Sequence, residues 1–408
     1  MTVTIADIER AAKTIGDDVI RTPTIPAPGL SREAGCEIFL KLESLQLTGS
    51  FKARGARNRL DAVDPATTNG VIACSAGNHA QGVACFAERM GISATIVMPR
   101  ETPFAKITRT ERYGARVILE GDSFAEAQTY TRELAAAENL TFIPPYDDDL
   151  IIAGQGTAGI EMAEDAPDLE VILIPVGGGG LIAGCAVALK AHMPKVEIIG
   201  VEAELYASMQ AALAGREIEG AGTTLAEGIA VKTPGTRTLP IVRELVDDIV
   251  TVNESAIEAA VELMADTGGV IVEGAGAVPL AAVMEDQPRF AGRRVGLLVS
   301  GGNIDMRLYA SVLLRGLVRG GQLVRLRVQI SDAPGNLAQV SQLIGDAGGN
   351  IVEIIHQRMF FDVPVKDTSI DIVIETRNTA HAAEIVEKLE AAGLHTRLLS
   401  DVTGTRST

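Results

Sequence analysis

Between residues 37 and 303, short aliphatic runs alternate with longer helix-forming stretches. "EIFLKLES" (37–44), "GVIACS" (70–75), "SATIVMP" (93–99), "ARVILEG" (115–121), "TFIPP" (141–145), "EVILIPV" (170–176), "VEIIGVEA" (196–203) and "RRVGLLVSGGN" (293–303) have the composition of buried strands. Helices are expected at about 52–62, 79–90, 103–113, 123–138, 152–164 and 181–192, preceded by a short one at 5–15. Short apolar strands that alternate with helices form a parallel sheet covered on both faces, which makes the class α/β. Ligands in such sheets bind beyond the carboxyl ends of the strands, so the glycine-rich turns there are the first places to look for chemistry.

The rhythm changes after "RGLVRGGQL" (315–323), and a linker is expected at 316–322. "LVRLRVQIS" (323–331) alternates strictly. A turn and helix follow in "DAPGNLAQVSQLIGDAGGN", then strands in "IVEIIHQRM" and "TSIDIVIET", an amphipathic helix in "TAHAAEIVEKLEAAG" and a last strand in "HTRLLSD". The order βαββαβ predicts a ferredoxin-like module over 323–403, separate from a first domain over 1–320.

Composition narrows the function classes. Lys and Arg number 36 against 53 Asp and Glu, a net charge of −17, and tryptophan is absent. A duplex phosphate backbone would be repelled, and a stacking platform for single strands is lacking, so no nucleic-acid partner is expected. Cys36, Cys74, Cys85 and Cys185 form no C-x-x-C pair, which predicts neither a metal site nor a disulfide framework and suits a reducing cytoplasm. "MTVTIADIERAAK" has no signal-peptide core, and no apolar run is long enough to cross a bilayer.

Four turns stand out. "PVGGGGLIAG" (175–184) follows a buried strand and opens a helix; its free amides and the helix N-terminus suit a phosphate, whereas a plain tight turn needs only one glycine. Gly178, Gly180 and Ala183 also fit G-x-G-x-x-A, with Glu202 at the distance of a ribose-binding acid, which leaves a dinucleotide-dependent dehydrogenase open. "SAGNHAQG" (75–82) sets Ser75, Asn78 and His79 at a helix start, suited to a carboxylate or simply to capping. "SGGN" (300–303) places Ser300 at a strand end, and "TLAEGIAV" (224–231) places Glu227 and Gly228 in a loop. To these "LTGSFKARGA" (47–56) adds Lys52. An amine, a phosphate cradle and a neutral hydroxyl are what pyridoxal 5'-phosphate requires, namely a lysine to carry it, an anchor for its phosphate and a partner for its ring nitrogen. A solvated lysine at a helix start is the bland alternative.

In this order and at these separations, "SFKARGA", "SAGNHAQG", "VGGGGLIAG" and "SGGN" resemble the threonine dehydratases, pyridoxal-phosphate enzymes of the tryptophan-synthase β-like fold (fold type II). The resemblance covers about 1–320 and implies two lobes, the smaller at about 53–153, with the cofactor between them. It implies that Lys52 carries the cofactor, with Phe51 beside the ring, Asn78 at its 3′-oxygen, and Gly177, Gly178, Gly179, Gly180 and Leu181 around the phosphate. Gly228 joins the cofactor-binding set, Ser300 partners the pyridine nitrogen, and Ser75, Ala76, Gly77, Asn78 and His79 line the turn around the substrate carboxylate. The C-terminal module resembles an ACT domain, a regulatory amino-acid-binding module. Its turns at Pro334, Gly335, Asn336 and Leu337, and at Gly348, Gly349, Asn350 and Ile351, are the implied effector site between two copies, with isoleucine, valine and serine as candidates. A structural dimerisation cap is the alternative role. A homo-oligomer, dimer or tetramer, is implied by resemblance alone.

The implied reaction is β-elimination from a small-molecule hydroxy amino acid, with Lys52 as the base and a 2-oxo acid and ammonia as products. Threonine, serine and 3-hydroxyaspartate remain alternatives as substrate. Related serine racemases carry a serine where this chain has Ala76, so a second proton donor is missing here. They also hold a divalent cation through an acid matched by Glu202 and a downstream Asp, where this chain has Ser208, with Glu204 the only carboxylate nearby; no metal is expected. A non-enzymatic amino-acid sensor is a further alternative, against which the intact Lys52 argues.

Overall fold

The computed structural model describes all residues except 1–2, 217, 219, 221, 332, 358–366 and 400–408. The ends of two expected strands, 358–359 and 400–401, therefore lie outside the described residues. The chain divides into two compact units, Met1–Asp305 and Met306–Thr408.

Strands of the first unit are β1 (Thr24–Pro26), β2 (Glu37–Leu42), β3 (Val71–Cys74), β4 (Ala94–Met98), β5 (Arg116–Leu119), β6 (Thr141–Phe142), β7 (Val171–Pro175), β8 (Glu197–Ala203), β9 (Asp248–Val252) and β10 (Arg294–Val299). Helices are α1 (Ile5–Ile15), α2 (Pro28–Ala34), α3 (Lys52–Asp61), α4 (Asn78–Arg89), α5 (Phe104–Glu111), α6 (Phe124–Ala137), α7 (Asp149–Asp165), α8 (Gly180–His192), α9 (Ser208–Leu213), α10 (Thr238–Leu245), α11 (Glu254–Asp266), α12 (Gly274–Glu285) and α13 (Gln287–Phe290). The alternation produces two sheets. One has the order β1-β2-β10-β7-β8-β9 and the other β5-β4-β3-β6. Every pairing in them is parallel except β1 with β2.

Periodicity did not predict two edge strands. β1 is short and ends in Pro26, and an edge position tolerates the missing N–H. β9, "DIVTV", is buried at only two of its positions, Ile249 and Val252, and so lacks a fully apolar signature. Conversely, "TFIPP" is a strand only over Thr141–Phe142, because Pro144 and Pro145 have no N–H to donate.

A buried charge cluster knits the centre of this unit. The Arg54 guanidinium donates to Glu43 through Nε (2.8 Å) and Nη2 (2.8 Å), and to Glu161 through Nη1 (2.7 Å) and Nη2 (2.7 Å). Lys41 Nζ donates to Glu161 Oε2 and to the Thr22 carbonyl, each at 2.6 Å. Lys41, Glu43 and Arg54 are fully buried. Burial alone would neutralise the acid, but the Arg54 charge beside it keeps Glu43 below the usual carboxylate range. The cluster joins β2, the turn after it, α3 and α7. At Gly55 and Gly154, α3 and α7 come so close that a Cβ on Gly154 would lie 2.7 Å from the Gly55 Cα.

The second unit contains α14 (Met306–Arg319), β11 (Leu323–Ser331), α15 (Asn336–Asp346), β12 (Asn350–Gln357), β13 (Asp367–Glu375), α16 (Thr379–Ala391) and β14 (Thr396–Leu398). Helix α14 thus occupies part of the stretch expected to be a linker. The sheet is antiparallel with the order β12-β13-β11-β14. Leu326, Val328, Ile370 and Ile372 pack with Ile344 of α15 and Ile385 of α16 in its core.

Removing one member of a buried charge cluster leaves its partners uncompensated. Arg54→Ala should therefore cost about 3–5 kcal/mol in urea unfolding, against less than about 1 kcal/mol for Arg237→Ala, whose pair with Asp149 is exposed. Equal midpoints for the two variants would show that the cluster does not hold the unit together.

Candidate active site

Lys52 is the first residue of α3, and the turn before it is tied to the end of β10. Ser50 pairs with Gly301 in an isolated bridge, Phe51 N–H donates to the Ser300 carbonyl (3.1 Å), and Gly302 N–H donates to the Gly49 carbonyl (2.9 Å). "TGSFK" and "SGGN" are therefore one local structure, although 248 positions separate Lys52 from Ser300. Lys52 Nζ donates to the Pro145 carbonyl at 2.6 Å and stands 5.1 Å from the Phe51 ring centroid. Burial pushes its pKa down from 10.5 to about 8, partly opposed by the negative charge of Glu273. Ser300 is buried beside it, and the hydroxyls of Thr48 and Ser50, also buried, have no hydrogen-bond partner.

Residue 146, next to the carbonyl that holds Lys52, rests on the glycine bend. A Cβ on Gly178 would lie 2.4 Å from the Tyr146 ring, and one on Gly180 would lie 3.0 Å from the Tyr146 Cβ. Gly179 has φ +90° and forms the N-cap of α8, with no side chain capping the helix. The amides of the first turn of α8 thus have no side-chain acceptor, the arrangement that takes an anion. Leu181 turns its side chain into the core, so only its backbone faces the bend. Gly228 lies in a 3₁₀ turn, where an added Cβ would come within 3.4 Å of Glu273 Oε1.

Helix α4 starts in the same way. Gly77 is its N-cap, again with no side-chain cap, and Gly77 N–H donates to the Ser75 hydroxyl (3.2 Å). Asn78 Nδ2 donates to Glu273 Oε1 (2.7 Å), while Asn303 Nδ2 donates to Asn78 Oδ1 (2.8 Å) and to the Thr48 carbonyl (2.7 Å). His79 Nε2 lies 2.9 Å from the Ile143 carbonyl. A carbonyl only accepts, so this nitrogen carries the proton. Burial, with the nearby Lys52 charge, pushes the His79 pKa down to about 3, and the ring is a neutral donor that fixes the turn. Ala76 packs against the core around β3.

Sequence reasoning missed Glu273 and the segment 143–149. Glu273 is the N-cap residue of α12, and burial pushes its carboxyl up to about 7. Its only signal was an acid set among glycines in "VEGAG". Glu202 was noticed for another reason. Its two oxygens accept the N–H groups of Met209 (2.8 Å) and Gln210 (2.9 Å), so it caps α9, and burial raises it to about 7. Glu202 is fully buried, so it is not open to a ribose. No metal-binding group of His, Cys, Asp and Glu occurs among the described residues.

In the second unit, Gly335 has φ +95° and is the N-cap of α15. Asn336 Nδ2 donates to the Ser331 carbonyl (2.8 Å), and Asn350 Nδ2 to Glu375 Oε2 (3.0 Å). Leu337 is exposed, and Ile351 packs at the edge of the core. Gly348 has φ +85°, and Gly349 sits tightly on Ile344 and Ile385.

The first unit therefore brings together an amine shifted toward neutrality, a bend that admits no Cβ and an uncapped helix of thirteen residues. That donor set fits an aldehyde carrying a phosphate. Comparison with known proteins agrees. The profile of the family "Pyridoxal-phosphate dependent enzyme" matches residues 15–301. The chain is 43% identical over 401 residues to an L-threonine ammonia-lyase of Thermotoga maritima, covering 97% of this chain and 100% of that one. It is 41% identical over 389 residues to an L-threonine ammonia-lyase of Geobacter sulfurreducens, covering 95% and 97%. Among solved structures, the processed form of threonine deaminase isoform 2 from Solanum lycopersicum superposes with a TM-score of 0.71 at 38% identity, covering 76% of this chain and 91% of that one. A serine racemase of Dictyostelium discoideum gives 0.70 at 32% identity, covering 75% and 100%. Matched by the family profile over most of its first unit and aligned with these relatives nearly end to end, the chain belongs to the pyridoxal-phosphate-dependent enzymes.

Proposed function

We propose that this protein is a threonine ammonia-lyase, which converts L-threonine to 2-oxobutanoate and ammonia and L-serine to pyruvate and ammonia. The observation that carries the reading is Lys52, a lysine with its pKa lowered to about 8, held next to the segment that covers the glycine bend. Similarity to threonine ammonia-lyases over 97% and 95% of the chain supports the choice of substrate.

Bound pyridoxal phosphate supplies an acceptor for the electron pair left when the substrate Cα–H bond breaks. The amides at Gly177–Gly180 and the α8 N-terminus would hold the phosphate, and Lys52 would carry the cofactor. The Lys52 amine is also the base proposed for the substrate Cα proton, since a depressed pKa leaves a usable fraction neutral near pH 7. Ser300, a buried neutral hydroxyl, would be the partner of the ring nitrogen, and unlike a carboxylate it would not hold that nitrogen protonated. The open N-terminus of α4 at Ser75–His79 takes the substrate carboxylate. Asn78, positioned by Glu273 and Asn303, would be the partner of the cofactor's 3′-oxygen.

Lys52→Ala should abolish both turnover and the visible absorbance of the bound cofactor. In the unaltered protein, the rate at which this absorbance grows on adding pyridoxal phosphate should rise through about pH 8, because the neutral amine is the nucleophile. A rate still climbing toward 10.5 would contradict the lowered pKa. Ala76 stands where the related serine racemases carry their second, proton-donating serine, and its methyl group has no proton to give. D-serine should therefore form from L-serine at least about a hundredfold more slowly than pyruvate, and equal rates would refute that assignment.

The second unit is proposed to be an ACT domain that binds an amino-acid effector at the turns 334–337 and 348–351, between copies in a homo-oligomer. The uncapped N-terminus of α15, with its glycine N-cap, supports this. Calorimetric titration of the full-length enzyme with isoleucine and valine, which have no β-hydroxyl to eliminate, should detect binding that Gly335→Val removes while turnover is retained. Absence of heat with both would favour a dimerisation cap.

A further inference from the structure

The segment joining β6 to α7 touches three parts of the site. Ile143 accepts from His79, Pro145 accepts from Lys52, and Tyr146 covers Gly178 and Gly180. Asp147, next in line, touches none of these. Its carboxylate accepts three hydrogen bonds from a second loop: Thr236 N–H (2.9 Å) and Thr236 Oγ1–H (2.9 Å) on Oδ2, and Arg237 N–H (2.8 Å) on Oδ1. The fit is tight, since a Cβ on Gly235 would lie 2.3 Å from Asp147 Oδ1. The Tyr146 hydroxyl donates to the Thr233 carbonyl (3.2 Å) and laces the same two stretches together.

The second loop in turn grips the bend. Gly235 N–H donates to the Gly178 carbonyl at 3.1 Å, and the fully buried Thr238 hydroxyl donates to the same oxygen at 2.7 Å. The peptide between Gly178 and Gly179 is trans and planar, so its C=O and N–H point in opposite directions. Two donors on the Gly178 oxygen therefore turn the Gly179 N–H to the other side of the bend. The φ of +90° at Gly179 is what that peptide orientation demands, and glycine meets it without strain.

We infer that Asp147, acting through the 235–238 loop, is a positioning residue that orients the Gly179 N–H toward the cofactor phosphate, with Thr238 as the contact that transmits it. The inference rests on the pyridoxal-phosphate reading of the bend and adds to it the group that sets cofactor affinity. Asp147 contacts neither substrate nor reacting atoms, so its loss weakens cofactor binding and leaves the chemistry of a loaded site intact.

The test is titration of cofactor-free, full-length protein with pyridoxal phosphate, followed by visible absorbance, together with the ³¹P resonance of the bound phosphate. Asp147→Ala and Thr238→Val should each raise the dissociation constant about tenfold or more and shift the ³¹P signal, with kcat at saturating cofactor near that of the unaltered enzyme. Thr238→Ser, which keeps the hydroxyl, should restore affinity. Asp149→Ala removes the neighbouring acid, whose partner is the Arg237 side chain, and should change affinity less than about twofold. If Asp147→Ala does not fold, the Thr238 pair decides. Dissociation constants within about twofold of the unaltered protein, or Thr238→Ser binding as weakly as Thr238→Val, overturn the inference alone. An unaltered protein that takes up no pyridoxal phosphate overturns the proposed function as well.

Discussion

The Arg54 guanidinium, two residues beyond Lys52, is buried between Glu43 and Glu161, and the remainder of the site depends on where it sits. Removing these charges from water is costly, and only near-complete hydrogen bonding offsets that cost. Lys41, Thr22 and Thr157 supply the remaining partners. The result is a joint between β2, α3 and α7, with Lys52 on the same first turn of α3 as Arg54. Strong ion pairing is thus used for position and kept away from the reacting amine. An ion pair on Lys52 would hold it charged and useless as a base, whereas a single backbone carbonyl holds it in place and leaves it titratable.

The cleft itself favours neutral groups. Burial lowers Lys52 to about 8 and His79 to about 3, and raises Glu273 to about 7. Two helices, α4 and α8, begin here with a glycine N-cap and no capping side chain. The protein thus supplies oriented N–H dipoles and side chains whose charged forms burial disfavours, a setting suited to ligands that bring their own formal charges. Preorganised dipoles in a desolvated site need no rearrangement when the ligand arrives. The Gly178 carbonyl in the bend is itself held twice from outside the cleft, by the Thr238 hydroxyl and the Gly235 N–H.

Much of this architecture was visible before folding. Apolar runs marked β2 to β5, β7, β8 and β10, and turn glycines marked the bend, because both signals are local. Lys52, Asn78, Gly177–Gly180 and Ser300 were singled out because their turns follow strands, and the resemblance of four short motifs tied them together. Edge strands β1 and β9 escaped because a sheet edge demands little of its residues. The stretch 204–292, with α9 to α13, showed no regular alternation to read.

The amino-acid sequence alone thus determined the α/β class, since alternating short apolar runs and helix-forming stretches are a local signal, and it pointed to pyridoxal phosphate through the resemblance of four short motifs. Tertiary structure decided what depends on distant partners. Glu273 meets Asn78 across 195 positions, Arg54 meets Glu161 across 107, and Asp147 meets Thr236 across 89. Hydrogen bonding, burial and peptide orientation are properties of such encounters, and no window of sequence contains both sides of them.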